Sequence, residues 1–168
     1  KVDLISVAFK TLEGEFKQRF HEKDILVIEN GFFDEKFTNE VTTLINKDDI
    51  SLVYTGSYGG YRSLQFIYEF LLKLKKYDYN LYKKINVYIL GNGDEKFDHD
   101  KMIYLGKVSY GTSLSYQNNA SILILVESEE GVASGNMTGK VYEYIAAKKP
   151  IIAFGPKKHF NIAKRLEE

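Results

Sequence analysis

The sequence has no cysteine, no tryptophan, only three histidines and no excess of either charge sign. Without cysteine, disulfides, thiolate chemistry and cysteine-based zinc sites are excluded, and the chain fits a reducing cytosol. His21, His99 and His159 are scattered and show no metal-ligand spacing. No Ser/His/Asp order suggests itself. Lys and Arg number 23 and so do Asp and Glu, giving a net charge of zero. That balance argues against duplex DNA or an anionic membrane as the main partner, since both need a basic surface. A local basic site stays open. No apolar run approaches the roughly 18 residues of a membrane span, and no signal peptide is visible. The chain begins at Lys1 rather than Met, so removal of a natural N-terminus is expected.

What is present fits a globular domain. Hydrophobic residues make up 44% and charged residues 27% of 168 positions, enough for one domain with a sizeable core. Short β-branched runs recur at Leu4–Ala8, Ile25–Glu29, Ile50–Thr55, Ile85–Leu90, Met102–Leu105, Ser121–Val126 and Pro150–Phe154. Most are continuous rather than alternating, as in strands buried on both faces of a parallel sheet. Helical spacing lies between several of them. It is clearest at Leu64, Ile67, Leu71 and Leu74, with Lys73, Lys75 and Lys76 near the C-terminal end, where cations suit the helix dipole. Leu12, Phe16 and Phe20 mark an earlier helix, and Val141, Tyr142, Ile145 and Ala146 a later one. The alternation predicts an α/β fold with a Rossmann-like parallel sheet flanked by helices. Asn30-Gly31 and the polar stretch 32–49, with one weak helix at Val41, Leu44 and Ile45, form a seam. Residues 1–49 therefore read as the tail of one domain plus a linker, and 50–168 as most of a second.

In open parallel sheets ligands bind beyond the C-terminal strand ends, and two loops there stand out. Gly56-Ser57-Tyr58-Gly59-Gly60-Tyr61-Arg62 leaves one strand and enters the Leu64 helix. Its glycines permit close backbone approach, the helix start favours an anion, and Arg62 offers a bidentate phosphate contact. A glycine turn with a solvated arginine is the plainer alternative. The second loop, Glu127–Gly139, enters a helix beginning near Thr138, a candidate N-cap. Gly139 and Lys140 place backbone N–H groups and an ammonium at a positive helix end, suited to a diphosphate. Glu143, one turn further, has two acceptor oxygens that match vicinal ribose hydroxyls. The plainer alternative is a solvated Lys140–Glu143 pair. Gly135–Lys140 is rejected as a P-loop: three residues separate its glycines and Val141 replaces Ser/Thr. Gly91-Asn92-Gly93 reads as a strand-ending turn. Asp98-His99-Asp100 spells a metal-binding triplet, but its polar surroundings favour a solvated loop.

These residues also carry a resemblance. Thr138-Gly-Lys-Val-Tyr-Glu143-Tyr-Ile-Ala-Ala-Lys-Lys-Pro150-Ile-Ile-Ala resembles the "K-lyEYlA-x-GkPii" signature of family 4-like glycosyltransferases with the two-lobed GT-B fold. Tyr54-Thr-Gly56-Ser57 with Arg62, Val87–Gly93, Ile103–Val108, Leu114–Tyr116 and Ala120–Leu125 resemble further segments of that family's C-terminal lobe, in order. Ile25–Phe32 resembles the "v-viPNGfd" end of the N-terminal lobe. The resemblance implies that 1–49 is the end of the N-terminal lobe plus the interdomain linker. It makes 50–168 the C-terminal nucleotide-sugar-binding domain, lacking its last helices. It further implies that Gly56, Ser57, Arg62, Gly135, Asn136, Thr138, Gly139 and Lys140 hold the diphosphate sugar, that Glu143 holds the ribose, and that Lys107-Val108 lies near the base. The family often carries a glutamate where this chain has Gly135, so the sugar contacts are not transferable.

The implied activity is transfer of a sugar from UDP-sugar or GDP-sugar to an acceptor hydroxyl. The reaction is expected to retain anomeric configuration and to serve surface polysaccharide assembly, such as capsule or lipopolysaccharide. No metal or other cofactor is expected. The saccharide or lipid-linked acceptor and the remaining catalytic groups are placed on the missing lobe, so the chain alone is expected to be inactive. No nucleic-acid partner is expected. The implied location is cytoplasmic, with the full-length protein peripheral to the inner membrane. The readings kept beside it are a nucleotide-sugar 2-epimerase-like enzyme of the same fold and a non-enzymatic Rossmann-like interaction module.

Overall fold

Two parallel sheets organise the chain. The computed structural model describes residues 2–31, 45–46, 48–60, 62–126 and 139–154. Strand β1 (Leu4–Val7), helix α1 (Lys10–Arg19) and strand β2 (Asp24–Val27) form a βαβ unit in which, among the described residues, the two strands pair only with each other. The second sheet begins at β3 (Ile50–Thr55). It continues through α2 (Gln65–Tyr77), α3 (Tyr79–Lys84), β4 (Ile85–Leu90), β5 (Met102–Gly106), α4 (Tyr110–Asn119), β6 (Ile122–Val126), α5 (Gly139–Ala146) and β7 (Ile151–Phe154). Its strands run in the order β5-β4-β3-β6-β7, all parallel.

Continuous hydrophobic runs follow from burial on both sheet faces. In β3, Leu52 and Tyr54 face a core with Leu64, Ile67 and Leu71 of the α2 side, while Val53 faces a second core with Tyr116 of α4 and Val141 and Tyr144 of α5. Leu64, Ile67 and Leu71 are almost fully buried, each contributing roughly 1.5–3 kcal/mol of apolar transfer. The predicted stripe on α2 is thus the packed face. Phe9 and Ile45 also pack against the second core, which joins the first sheet's unit to the larger one.

Two helices have no counterpart in the sequence reading. Short α3 follows α2 after one residue, Asp78, whose side chain caps it through Leu81 N at 2.9 Å. Helix α4 lacks an apolar stripe because its inward face includes buried Ser115 and Gln117. Its start is legible in hindsight, since Ser109 accepts from Thr112 N at 3.1 Å as an N-cap does. The weak helix read at Val41 and Leu44 falls outside the described residues.

The strand order sets the site. From β3 the chain moves to β4 on one side, and from β6 it moves to β7 on the other. Adjacent strands whose connections diverge leave a crevice at their C-terminal ends, where doubly wound sheets bind ligands. The turn at Gly56 follows β3, and α5 follows β6.

Candidate functional site

The floor of the crevice is built from glycines. Gly56 has φ +123° and donates its N–H to Leu90 O at 2.8 Å. A Cβ on Gly91, the first residue after β4, would stand 2.0 Å from Gly56 O. The turns after β3 and β4 therefore meet backbone to backbone, which only glycine permits here. A cleft of about 280 Å³ opens beside them, lined by Gly56, Leu90, Gly91, Lys107, Val108, Ser109, Tyr110 and Ser113.

Helix α5 brings a charge to this floor. The Lys140 ammonium nitrogen is buried, lying 4.8 Å from the centroid of the Tyr54 ring. That is within cation–π range. It also stands 3.0 Å from where a Cβ of Gly56 would be. The side chain therefore crosses from α5 to the end of β3, and residues distant in sequence become neighbours. The Lys140 ammonium is thus buried rather than in solvent on the helix surface.

Glu143, on the same helix, is held from α4. Gln117 is fully buried and its Nε2 lies 3.0 Å from Glu143 Oε2, 3.2 Å from Thr55 Oγ1 and 3.4 Å from Ser113 Oγ. An amide has two hydrogens, so the two shorter contacts take them. Thr55 Oγ1, accepting from Gln117, then donates to Tyr144 OH at 3.2 Å, which donates to Ile124 O at 3.1 Å. Tyr144 OH also accepts from Thr55 N at 3.0 Å. One directed chain of hydrogen bonds thus ties β3, α4, β6 and α5 together behind the crevice. Gln117 Oε1 is buried without a hydrogen-bond partner among the described residues. Tyr110, in the cleft wall, also bonds to Glu143. Burial first, then the charge and hydrogen bond of Glu143, push its phenol up from the usual range.

The other residues singled out by sequence fall as follows. Ser57 turns its carbonyl to Tyr54 OH at 2.5 Å. Arg62 pairs backbone to backbone with Gly59, in both directions, at 3.0 and 3.1 Å. Gly139 is exposed at the first position of α5. Gly135, Asn136 and Thr138 lie outside the described residues. The start of α2, read as open to an anion, already has one: Glu95 accepts from Ser63 Oγ at 2.8 Å and from Leu64 N at 2.9 Å. The loop residue His99 has a nearly buried side chain and Asp100 accepts from Tyr82 OH at 2.7 Å, so part of that triplet anchors its loop to α3. Gln117, Tyr110, Thr55 and Tyr144 were not singled out by sequence. Their role depends on contacts across the sheet, and a polar residue on an inward helix face was the one local sign.

No protein-family model and no curated protein matches the chain. Solved structures do match its fold. WaaG, a glycosyltransferase involved in lipopolysaccharide biosynthesis, aligns with a TM-score of 0.63 at 12% identity, over 88% of this chain and 43% of that one. The GtfA/B complex aligns with a TM-score of 0.56 at 14% identity, over 93% and 31%. A mutant of S. aureus TarM in complex with Fondaparinux, α-GlcNAc-glycerol and UDP aligns with a TM-score of 0.52 at 12% identity, over 90% and 30%. The chain spans less than half the length of each. Its α/β architecture, a five-stranded parallel sheet flanked by helices, is that of one lobe of the GT-B glycosyltransferases.

Proposed function

We propose that residues 50–168 form the nucleotide-sugar-binding lobe of a glycosyltransferase and residues 1–49 the end of its other lobe with the linker. One observation carries this reading: Lys140 lies against Gly56 at the floor of the β3–β6 crevice, while Glu143, one turn along, is held by Gln117 and Tyr110 beside the cleft. A buried ammonium and the start of α5 suit a diphosphate. A braced carboxylate suits ribose hydroxyls. The wall at Lys107-Val108 suits a base, and UDP is the ligand reported with the TarM structure.

In this reading the donor is a UDP-sugar or GDP-sugar. Its diphosphate leaves as the sugar moves to an acceptor hydroxyl of a surface polysaccharide precursor, with retention at the anomeric carbon. Lys140 and the start of α5 stabilise the charge that develops on the leaving group. That role needs no metal ion. Acceptor binding and the remaining catalytic groups belong to the other lobe, so this chain binds donor and transfers nothing alone. Calorimetry with UDP and GDP tests the site. Lys140→Ala and Glu143→Ala should each weaken the preferred nucleotide about tenfold or more, in line with a lost charged hydrogen bond. Unchanged affinity in both variants sinks the proposal.

A further inference from the structure

Glu143 is the candidate partner of the ribose, yet among the described residues it is not part of the cleft wall. That wall includes Tyr110 and Ser113 of α4. Tyr110 bonds to the Glu143 carboxylate, so its side chain stands between that carboxylate and the open space. The spacing on α4 makes this arrangement. Tyr110, Ser113 and Gln117 recur at i, i+3 and i+7, which stacks them on one helix face. That face is turned to α5: Gln117 Nε2 lies 3.0 Å from Glu143 Oε2 and 3.4 Å from Ser113 Oγ. The two grips on Glu143 differ in mobility. Gln117 is fully buried and also bonds to Thr55, whereas Tyr110 is 53% exposed at the first position of α4. An exposed side chain changes rotamer within nanoseconds, while a buried amide between fixed partners stays in place.

We propose that Tyr110 is a latch on this site: its hydroxyl holds the side of the Glu143 carboxylate that a vicinal diol needs, and it must swing off before a nucleotide can bond there. The inference rests on the reading of Glu143 as the ribose ligand. A diol offers two donors, and a carboxylate has two oxygens to receive them. Gln117 reaches Glu143 from the buried side and leaves the cleft side for that pair of bonds; Tyr110 takes it. Burial first, then the Glu143 charge and hydrogen bond, push the Tyr110 phenol up, so the hydroxyl keeps its proton and is the donor. A hydrogen bond to a charged group suffices to keep the latch closed in about nine molecules of ten. Apparent affinity then falls by the fraction of molecules in which the site is open. The latch thus sets how tightly the nucleoside is held without touching the diphosphate.

The test is calorimetry on the 168-residue chain with UDP and with inorganic pyrophosphate. Tyr110→Phe keeps the ring and removes the hydroxyl. It should bind UDP about tenfold more tightly than the parent and pyrophosphate equally well. Tyr110→Ala, which removes the ring too, should also gain for UDP. Tyr110 is exposed and Ser109 caps α4, so both variants keep the fold. A double-mutant cycle locates the effect: with Glu143→Ala in place, Tyr110→Phe should bring no gain, because nothing is left to hold. UDP binding in Tyr110→Phe that equals the parent's or is weaker overturns the latch. So does an equal gain in the Glu143→Ala background. Weaker binding in Tyr110→Ala beside parent affinity in Tyr110→Phe would make the ring a platform for the base, and overturns it as well. Glu143→Ala alone separates the two readings. If it weakens UDP while Tyr110→Phe brings no gain, the latch fails and the ribose reading stands. If it leaves UDP binding unchanged, the ribose reading fails and the latch with it.

Discussion

At the scale of the residue, Gly56 joins backbone geometry to charge placement. Its φ of +123° is one that side chains avoid, and a Cβ there would stand 3.0 Å from Lys140 Nζ. Gly56→Ala should therefore cost about 1–3 kcal/mol, read as a lower urea midpoint. Displacing the ammonium should also weaken UDP; an alanine variant as stable as the parent and binding UDP as well refutes the placement of Lys140. Gln117 acts differently. Gln117→Leu removes the donor to Glu143 Oε2 and to Thr55 Oγ1, at a cost of about 1 kcal/mol. If Glu143 addresses the ribose, UDP should weaken while inorganic pyrophosphate binds as before. Equal weakening of both ligands would assign Gln117 to general integrity of the crevice. Lys140 and Glu143 were picked out as candidates in the sequence because a diphosphate's charge and ribose hydroxyls would call for those groups at a helix start. Gln117 and Tyr110 were not, because a brace is defined by the partner it touches, and that partner lies on another element.

The element scale shows the same division. Strands β3 and β4 have the bounds that their apolar runs announce, and α2 has its stripe, because burial on a sheet face selects hydrophobic residues in a fixed period. Helices α3 and α4 escaped, the first for shortness and the second because its buried face carries serine and glutamine. The start of α2 looked open to a ligand until Glu95, thirty residues on, took the place. Helix α3 in turn anchors the loop before β5 through Tyr82 and Asp100. Burial, then the hydrogen bond to Asp100, push the Tyr82 phenol up to about 12 from 10.0. The folded chain then holds that proton more tightly than the unfolded chain does. Its stabilisation is full below pH 10 and is lost as pH rises through about 12. Denaturant titrations at rising alkaline pH should show the parent losing more stability across that window than Tyr82→Phe, whose ring has no proton to lose. Parallel losses would mean the Tyr82 phenol titrates alike in both states.

At the scale of the whole molecule, the two sheets differ in how well they are covered. In β3 every residue after Ile50 is buried, whereas Leu4 of β1 and Leu26 of β2 are 52% and 48% exposed. A two-stranded sheet has little stability of its own, and among the described residues Phe9 ties this one to the larger core. The proposal assigns it to the end of another lobe, which accounts for apolar strand faces left in water. Local opening should then be cheaper in this unit than in the five-stranded sheet, since segments with few buried contacts open well below the global free energy. Hydrogen exchange followed by mass spectrometry should find peptides over 4–27 exchanging far faster than those over β3, β4 and β6. Phe9→Ala should widen the difference by loosening the first unit while leaving exchange in β3 and β4 almost unchanged. Equal protection in both sheets would mean the chain opens as one cooperative body, and residues 1–49 would then belong to the same domain as the crevice.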